Sequence, residues 1–320
     1  MTNKILHSIE SDYTGKKVLV TGANGFVSAY LIPLLKNAGA SVIGVGLQPE
    51  AKRPVGSIYE YRSCDLRDLS AVRELIQAIQ PDIVFHLASQ SSVGTSWTSE
   101  WQTIESNVQT SHNLMKSLEQ LTKPVQVLAV SSGEVYGNQA TAAKTNLPLK
   151  PLSPYAVSKA MMEVLLHRFA NTNISFVIAR SFTHTGAGRP ARFFEASIAS
   201  QIAQALREKK SEMTLQVGNL DVIRDYSDVR EVALKYLWLA VKGNKSEAYN
   251  VCSGEGFSLS QIIQMIADEA KTKVITQTDT SRLRKNDIPY LVGENSLKEI
   301  FPAGDFPVRV ALKELLQSFQ

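Results

Sequence analysis

The sequence predicts an α/β fold: a doubly wound parallel sheet with a smaller α/β lobe interleaved with it toward the C-terminus. Three observations carry that prediction. Short β-rich runs alternate with helical runs from Lys17 onward, the first strand runs straight into a glycine-rich turn that opens a helix, and the alternation breaks after Phe182. Parallel neighbours need a crossover long enough to hold a helix, so this pattern reads as βαβ units with helices on both faces.

Taken in order, KVLVTG is the first strand and GFVSAYLIPLLKNAG the helix that Gly39 closes. Pro33 falls inside that helix, where it removes an N–H and either kinks the helix or is accommodated locally. SVIGVG is the second strand, and a further strand precedes CDLRD. LSAVRELIQAIQ is the next helix, with Pro81 behind it, and DIVFHLA the strand after that. A long helical segment spans Trp97–Leu121, followed by the strand VQVLAV, the helix PYAVSKAMMEVLLHRFA and the strand ISFVIARSF. The loop THTGAGRPARF then leads to a helix and to short elements around MTLQVG, AYNVCSG and TKVITQ. The expected division is a first domain over 14–182, to which later segments return, and a lobe over 183–320.

Apolar residues make up 44% of the chain and charged residues 20%, enough for an ordinary globular core. Thirty-four basic residues against 30 acidic ones leave a net charge of +4. That excess does not imply nucleic-acid binding and does not oppose a phosphorylated small molecule. Cys64 and Cys252 lie far apart without CxxC spacing, which points to buried thiols, and no His/Cys set has ligand spacing, so no metal is expected. The segment MTNKILHSIESDYTGKK lacks the apolar core of a secretion signal, and no apolar run approaches the ~18 residues of a membrane span. A cytoplasmic protein, away from membranes, is the expectation.

TGANGFVS places Gly22 and Gly25 directly after the first strand and at the start of a helix. Such glycines permit a tight turn and a close backbone approach to a pyrophosphate held at the helix N-terminus, the Rossmann-type arrangement. Ser28 stands at the third small position, where it is small enough for helix–strand packing. An acid at the end of the second strand would accept from a ribose 2′-OH. Gly46 stands there instead, no carboxylate occurs until Glu50, and Lys52 and Arg53 follow. A missing acid beside two cations favours a 2′-phosphate and hence NADP(H), with NAD(H) as the alternative. Asp65 either reaches the adenine amine or caps the helix from Leu69 onward.

SPYAVSK holds Tyr155 and Lys159 four residues apart at the start of a helix, so both project from one face. A nearby ammonium favours a phenolate, which makes tyrosine a usable acid–base group near neutral pH. Ser132, at the end of the preceding strand, supplies a hydroxyl that can hold a carbonyl oxygen beside the phenol. Glu134, two residues on in SSGEVYG, is either a proton-abstracting base or a residue lining the pocket.

The order TGANGFVS, CDL, HLASQSSVG, SSGEVYG, YAVSK resembles the extended short-chain dehydrogenase/reductases that modify nucleotide-linked sugars. FTHTGAG, VGNLDVIRDYSDVRE, YNVCSGEGFSLSQII and RLRKNDIPYLVGENSLKEI narrow the resemblance to the GDP-sugar branch, the 4-keto-6-deoxymannose reductases first and the GDP-mannose 4,6-dehydratases next. The resemblance implies Tyr155 as proton donor or acceptor, Lys159 as its tuner and ribose ligand, and Ser132 as polariser of the sugar oxygen. Asn24, Phe26, Val27, Leu66, Leu87, Ala88 and Ser89 would join the cofactor set. Gln90 and Ser91 would face the sugar, Thr183 and His184 would line it, and Arg224 and Arg284 would contact the diphosphate, a group that suits the planar fork of arginine. Relatives often carry Asn before the histidine, where this chain has Thr183. Dehydration needs a further base and acid beyond the tyrosine, and dTDP-sugar dehydratases place an acid before the glutamate, where this chain has Gly133. With no Arg-rich segment after the second strand and a chain shorter than that of a GDP-mannose dehydratase, a 4-ketoreductase is expected. A dehydratase using Glu134 or an epimerase is the alternative. The resemblance also implies a homodimer through the helix after Thr98 and the helix bearing Tyr155, both of which carry apolar stripes that could equally be internal core.

Overall fold

A computed structural model describes residues 2–50, 60–170, 173–210, 212–280, 287–302 and 305–320. In chain order its elements begin with α1 (Thr2–Tyr13), β1 (Lys17–Thr21), α2 (Ser28–Asn37), β2 (Ser41–Gly46), β3 (Glu60–Ser63), α3 (Leu69–Ile79) and β4 (Ile83–His86). They continue with α4 (Val93–Thr98), α5 (Glu100–Leu118), β5 (Val125–Ser132), α6 (Pro154–His167), β6 (Ile174–Ser181), β7 (Thr183–Thr185), α7 (Phe194–Arg207), β8 (Glu212–Val217) and β9 (Ile223–Asp228). The last are α8 (Val229–Lys242), β10 (Ala248–Val251), β11 (Gly256–Ser258), α9 (Leu259–Ala270), β12 (Lys273–Thr278), β13 (Tyr290–Leu291) and α10 (Val308–Gln317). The chain divides into two compact units, one made of 1–135, 151–181 and 233–249, the other of 136–150, 182–232 and 250–320.

In the first unit the strands form a seven-stranded sheet in the order β10-β6-β5-β4-β1-β2-β3, parallel at every pair from β6 to β3. The chain starts in the middle at β1, winds out to β3, and returns to β4 on the other side of β1. That reversal makes β1/β4 the switch point, where the carboxyl ends of the strands open a crevice for a ligand. The register brings Thr21 level with His86, and His86 level with Ala129. Leu19, Val84, Val127 and Ile178 of the strands pack with Val72, Ile76, Leu114 and Met162 of the helices into one buried core.

Two local features refine the sequence expectation. The helix α2 runs unbroken across Pro33, so the proline is accommodated rather than kinking the chain out of the helix. The helix α1 was not expected at all. It buries Ile5, Ile9 and Tyr13, an i, i+4, i+8 stripe, and the Tyr13 hydroxyl donates to the Leu237 carbonyl at 2.6 Å.

The second unit holds the sheet β11-β9-β13, with β7 paired in parallel to β9, and a parallel ribbon of β8 and β12. Ile198 and Ile202 of α7, Ile262 and Ile266 of α9, and Leu312 and Leu315 of α10 close its core. Asp225 fastens three segments: its carboxylate accepts from Ser253 N (2.8 Å), Ser253 Oγ (2.8 Å), Gly254 N (2.9 Å) and Gly293 N (3.3 Å). Burial pushes its pKa up to about 6 against the pull of those donors. Among the described residues no helix is long and apolar enough to cross a membrane.

Candidate active site

Ser132 is the last residue of β5, and the chain turns at once through a 3₁₀ segment, Gly133–Tyr136. The Ser132 Oγ accepts the Glu134 backbone N–H at 3.2 Å, so the turn orients the serine and leaves its own proton to donate. Ser153 caps α6 by accepting from Ala156 N at 3.1 Å, with Pro154 in the first turn. That start fixes Tyr155 and Lys159 one turn apart. The Lys159 Nζ donates to the Val130 carbonyl at 2.8 Å and lies 5.9 Å from the centroid of the Tyr155 ring. Both side chains are buried. Desolvation pushes the Lys159 pKa down to about 8, and the charge of Glu163 opposes that fall. Glu134 itself is half-buried.

A chain of buried hydrogen bonds that sequence reasoning missed ties this helix to the glycine-rich turn. The Ala88 N–H donates to Thr21 Oγ1 (3.1 Å), whose hydroxyl meets His86 Nδ1 (2.9 Å); His86 Nε2 meets Ser111 Oγ (3.0 Å), which donates to the Asn107 carbonyl (2.8 Å). One set of proton positions satisfies every bond: a neutral His86 with the proton on Nε2. Burial and the charge of Lys159 hold His86 neutral, with its pKa down at about 3. Asn107 extends the chain. Its Oδ1 accepts from Gln90 N at 2.8 Å, and its Nδ2 donates to Ser158 Oγ at 2.9 Å, which in turn donates to the Tyr155 carbonyl at 2.7 Å. Asn107 sits mid-helix in ESNVQTSHNL with nothing in its neighbours to single it out; only the fold brings Gln90 and Ser158 to it.

The glycine-rich turn fits a dinucleotide. Gly22 has φ +68°, and a Cβ there would come within 2.9 Å of Ala88 N; a Cβ on Gly25 would come within 2.9 Å of the Gly22 carbonyl. These positions are cradles that only glycine leaves open. Val27, ahead of α2, makes no side-chain cap, which leaves the helix N-terminus without a side-chain competitor for a phosphate. Ser28 does more than pack: fully buried, it donates to the Gly22 carbonyl at 2.8 Å and closes the turn on itself. Phe26 is buried, and Leu87, Ala88 and Ser89 are half-buried beyond the end of β4.

A Cβ on Gly46 would fall 2.6 Å from the Tyr61 hydroxyl, which donates to the Gln48 carbonyl (2.8 Å) and accepts from Asn24 Nδ2 (3.0 Å). Tyr61 therefore fills the place of the missing acid. Asp65 does not cap α3. Asp68, in extended backbone, accepts from Ser70 N and Ala71 N, while Asp65 is held by the Arg67 guanidinium, which keeps its carboxyl below the usual range. Leu66 beside it is buried in the core. Lys52 and Arg53 lie outside the described residues, as does Arg284.

The Gln90 side-chain amide bonds Ser92 in its own loop and Thr103 Oγ1 on α5, whereas Ser91 is exposed. In the second unit, Thr183 and His184 are half-buried on β7. His184 Nδ1 meets the Phe182 carbonyl at 3.0 Å, and burial together with the Arg189 charge pushes its pKa down to about 3. Arg224 donates to the carbonyls of Ile223 (3.0 Å) and Ile288 (2.6 Å) and to Asp287 Oδ1 (2.9 Å). No group of three or more His, Cys, Asp or Glu among the described residues could hold a metal ion.

Comparison with known proteins places this geometry among characterised relatives. The family profile described as GDP-mannose 4,6 dehydratase matches residues 19–296. A GDP-6-deoxy-D-mannose reductase of Pseudomonas aeruginosa is 33% identical over 277 residues, 84% of this chain and 85% of the relative. A GDP-6-deoxy-D-talose 4-dehydrogenase of Aggregatibacter actinomycetemcomitans is 26% identical over 94% of this chain and 97% of its own length. Among solved structures, the RMD protein of Pseudomonas aeruginosa complexed with NADPH superposes with a TM-score of 0.80 at 28% identity, over 95% of this chain and 98% of that one.

Proposed function

This chain belongs to the GDP-mannose 4,6-dehydratase family within the extended short-chain dehydrogenase/reductases, enzymes of nucleotide-linked sugars that use a nicotinamide cofactor, and we propose that it is a 4-ketoreductase of a GDP-linked 4-keto-6-deoxyhexose. One observation carries the reading: Ser132, Tyr155 and Lys159 supply all that a carbonyl reduction asks of the protein, while the turn after β5 offers one carboxylate, with Gly133 in front of it. A reduced nicotinamide, when bound, would supply the hydride to C4. Ser132 donates to the keto oxygen, and Tyr155 gives that oxygen its proton as the new C–H bond forms, leaving a phenolate that Lys159 stabilises. Gly22, Gly25 and the start of α2 would hold the cofactor's pyrophosphate. The cofactor is proposed to be NADP(H), because Gly46 stands at the end of β2 where an acid would accept from a ribose 2′-OH. Gln90, Ser91, Thr183, His184 and Arg224 are proposed as contacts of the sugar nucleotide, in a cytoplasmic enzyme.

A second reading has its own observation. Glu134 stands half-buried two residues beyond Ser132, where a dehydratase would keep a base for the C5 proton. Incubation with GDP-mannose alone, and with GDP-4-keto-6-deoxymannose plus NADPH, separates the two. NADPH consumed only with the keto-sugar supports reduction; keto-sugar formed from GDP-mannose without reductant replaces it with dehydration.

The working form is proposed to be a homodimer through α5 and α6. Trp101 is 65% exposed and Val164 69%, with Trp97 and Met161 also exposed, large apolar side chains on or next to these two helices. Such a patch is what an interface covers. A solution mass of twice 35.2 kDa, reduced to one chain by Val164→Glu, is the expected result; a wild type at 35.2 kDa ends the proposal.

A further inference from the structure

Behind Lys159, on the side away from Tyr155 in sequence, α6 buries a carboxylate that the reaction as described does not use. Glu163 follows Lys159 by one turn and is 3% exposed. Its Oε1 accepts from Ser131 Oγ at 2.5 Å and from Arg180 Nε at 3.1 Å; its Oε2 accepts from Arg180 Nη2 at 2.8 Å. Ser131 precedes Ser132 on β5, and Arg180 lies next to Ser181 on the neighbouring β6, where Ser131 and Arg180 share a register position. Three elements therefore converge on one carboxylate, one helical turn from Lys159 and bonded to the residue before Ser132. A buried ion pair of this kind is a weak source of stability, because desolvating both charges offsets their attraction. Its placement calls for another reason.

We propose that Glu163, braced by Arg180 and Ser131, is a positioning residue for catalysis: its carboxylate keeps the buried Lys159 side chain an ammonium and holds that charge available to Tyr155. Lys159 has one neutral acceptor, the Val130 carbonyl, and a protein interior that disfavours its charge. Desolvation is the largest influence on its pKa and Glu163 the one that opposes it. The other titratable groups around it do not take that role. His86 on β4 is neutral, Tyr155 on α6 and Tyr236 on α8 are phenols, and the group α5 turns toward α6, Asn107, is uncharged. Glu134 belongs to the turn after β5 and precedes α6 in the chain by 3₁₀ segment and loop, whereas Glu163 is on the same helix one turn from Lys159. Arg180 then has the role of fixing the carboxylate through two guanidinium nitrogens, one turn along α6 from Lys159.

The proposal rests on Tyr155 as the proton donor, and its test is built so that it can fail separately. The variants are Glu163→Gln and, to avoid stranding a buried guanidinium, Glu163→Gln/Arg180→Gln. The first measurement needs no substrate: near-ultraviolet titration of each protein minus its Tyr155→Phe counterpart isolates the Tyr155 phenolate. Losing a negative charge would by itself favour the phenolate and move the transition to lower pH. Losing the ammonium with it moves the transition to higher pH, by about one unit or more, and this is the result expected. In a Lys159→Met background the upward move vanishes. The second measurement is the pH profile of keto-sugar reduction. Lys159 with a lower pKa gives up its proton earlier while the Tyr155 phenol holds its proton longer, so the limb of kcat that follows the ammonium moves to lower pH, opposite to the Tyr155 transition, and kcat at pH 8 falls about tenfold, with cofactor Kd unchanged within about twofold. A Tyr155 transition that stays put or moves down in the double variant, or that moves up equally without Lys159, overturns the proposal. A wild type that fails to reduce the keto-sugar while the titration behaves as expected overturns the functional reading and leaves this one standing.

Discussion

Glu163–Arg180 in the first unit and Arg224–Asp287 in the second are both arginine–carboxylate pairs, yet they are built for different ends. In the first, both partners are under a tenth exposed, two guanidinium nitrogens contact the carboxylate, and a serine from a third element completes it. In the second, the carboxylate is about a fifth exposed, one guanidinium nitrogen meets it, and two backbone carbonyls share the arginine. A closed pair fixes a field for a neighbour; a half-open pair leaves an arginine whose geometry is set and whose charge is only partly compensated. The difference matches a proposed division of labour, with proton chemistry assigned to the first unit and anion recognition to the second.

The largest effect that could break this division is Tyr155→Phe. It removes the proton proposed to pass to the substrate oxygen, leaving only the Ser132 hydroxyl to polarise it, so kcat should fall by about 10²–10⁴-fold. Dinucleotide affinity, measured by quenching of protein fluorescence, should stay within about twofold, because the phenol is not what holds the pyrophosphate. Turnover near wild type would mean that the acid lies elsewhere, and the division would go with it.

The same contrast explains what the sequence made legible. Tyr155 and Lys159 are neighbours through helix geometry, and Ser132 ends a strand whose β-rich pattern is plain, so the three proposed catalytic groups can be read from local spacing. Glu163 sits on the same helix, but its meaning depends on Arg180, 17 residues on, and on Ser131, 32 residues back, brought together by the β5/β6 register. Tyr61 reaches the end of β2 across the sheet edge, which no spacing rule announces. The cap of α3 fell to Asp68 rather than Asp65 because Asp68 has extended backbone (φ −87°, ψ 104°) that aims its carboxylate at the first turn. The helix α1 did carry its signal in Ile5, Ile9 and Tyr13, but a stripe that narrow becomes informative only once there is a surface to receive it.

The smaller effect concerns Arg224. If its guanidinium meets the diphosphate, Asp287 is its competitor, and the two substitutions must act in opposite directions. Arg224→Gln loses a charge-assisted contact and should raise KM about tenfold or more, with kcat nearly kept. Asp287→Asn keeps the shape and removes the rival charge, so KM should fall by about two- to threefold, more at low ionic strength than at high. Both variants retain a polar group for the Ile288 region, which limits the loss of folding stability. Thermal unfolding supplies the control: if both variants lower Tm and neither moves KM, Arg224 is a brace between β9 and the segment at Asp287 and Ile288, comparable to Asp225 beside it. Opposite shifts in KM with Tm unchanged assign it to the anion, because a brace loses strength whichever of its two partners is removed, whereas a ligand and its competitor do not behave alike.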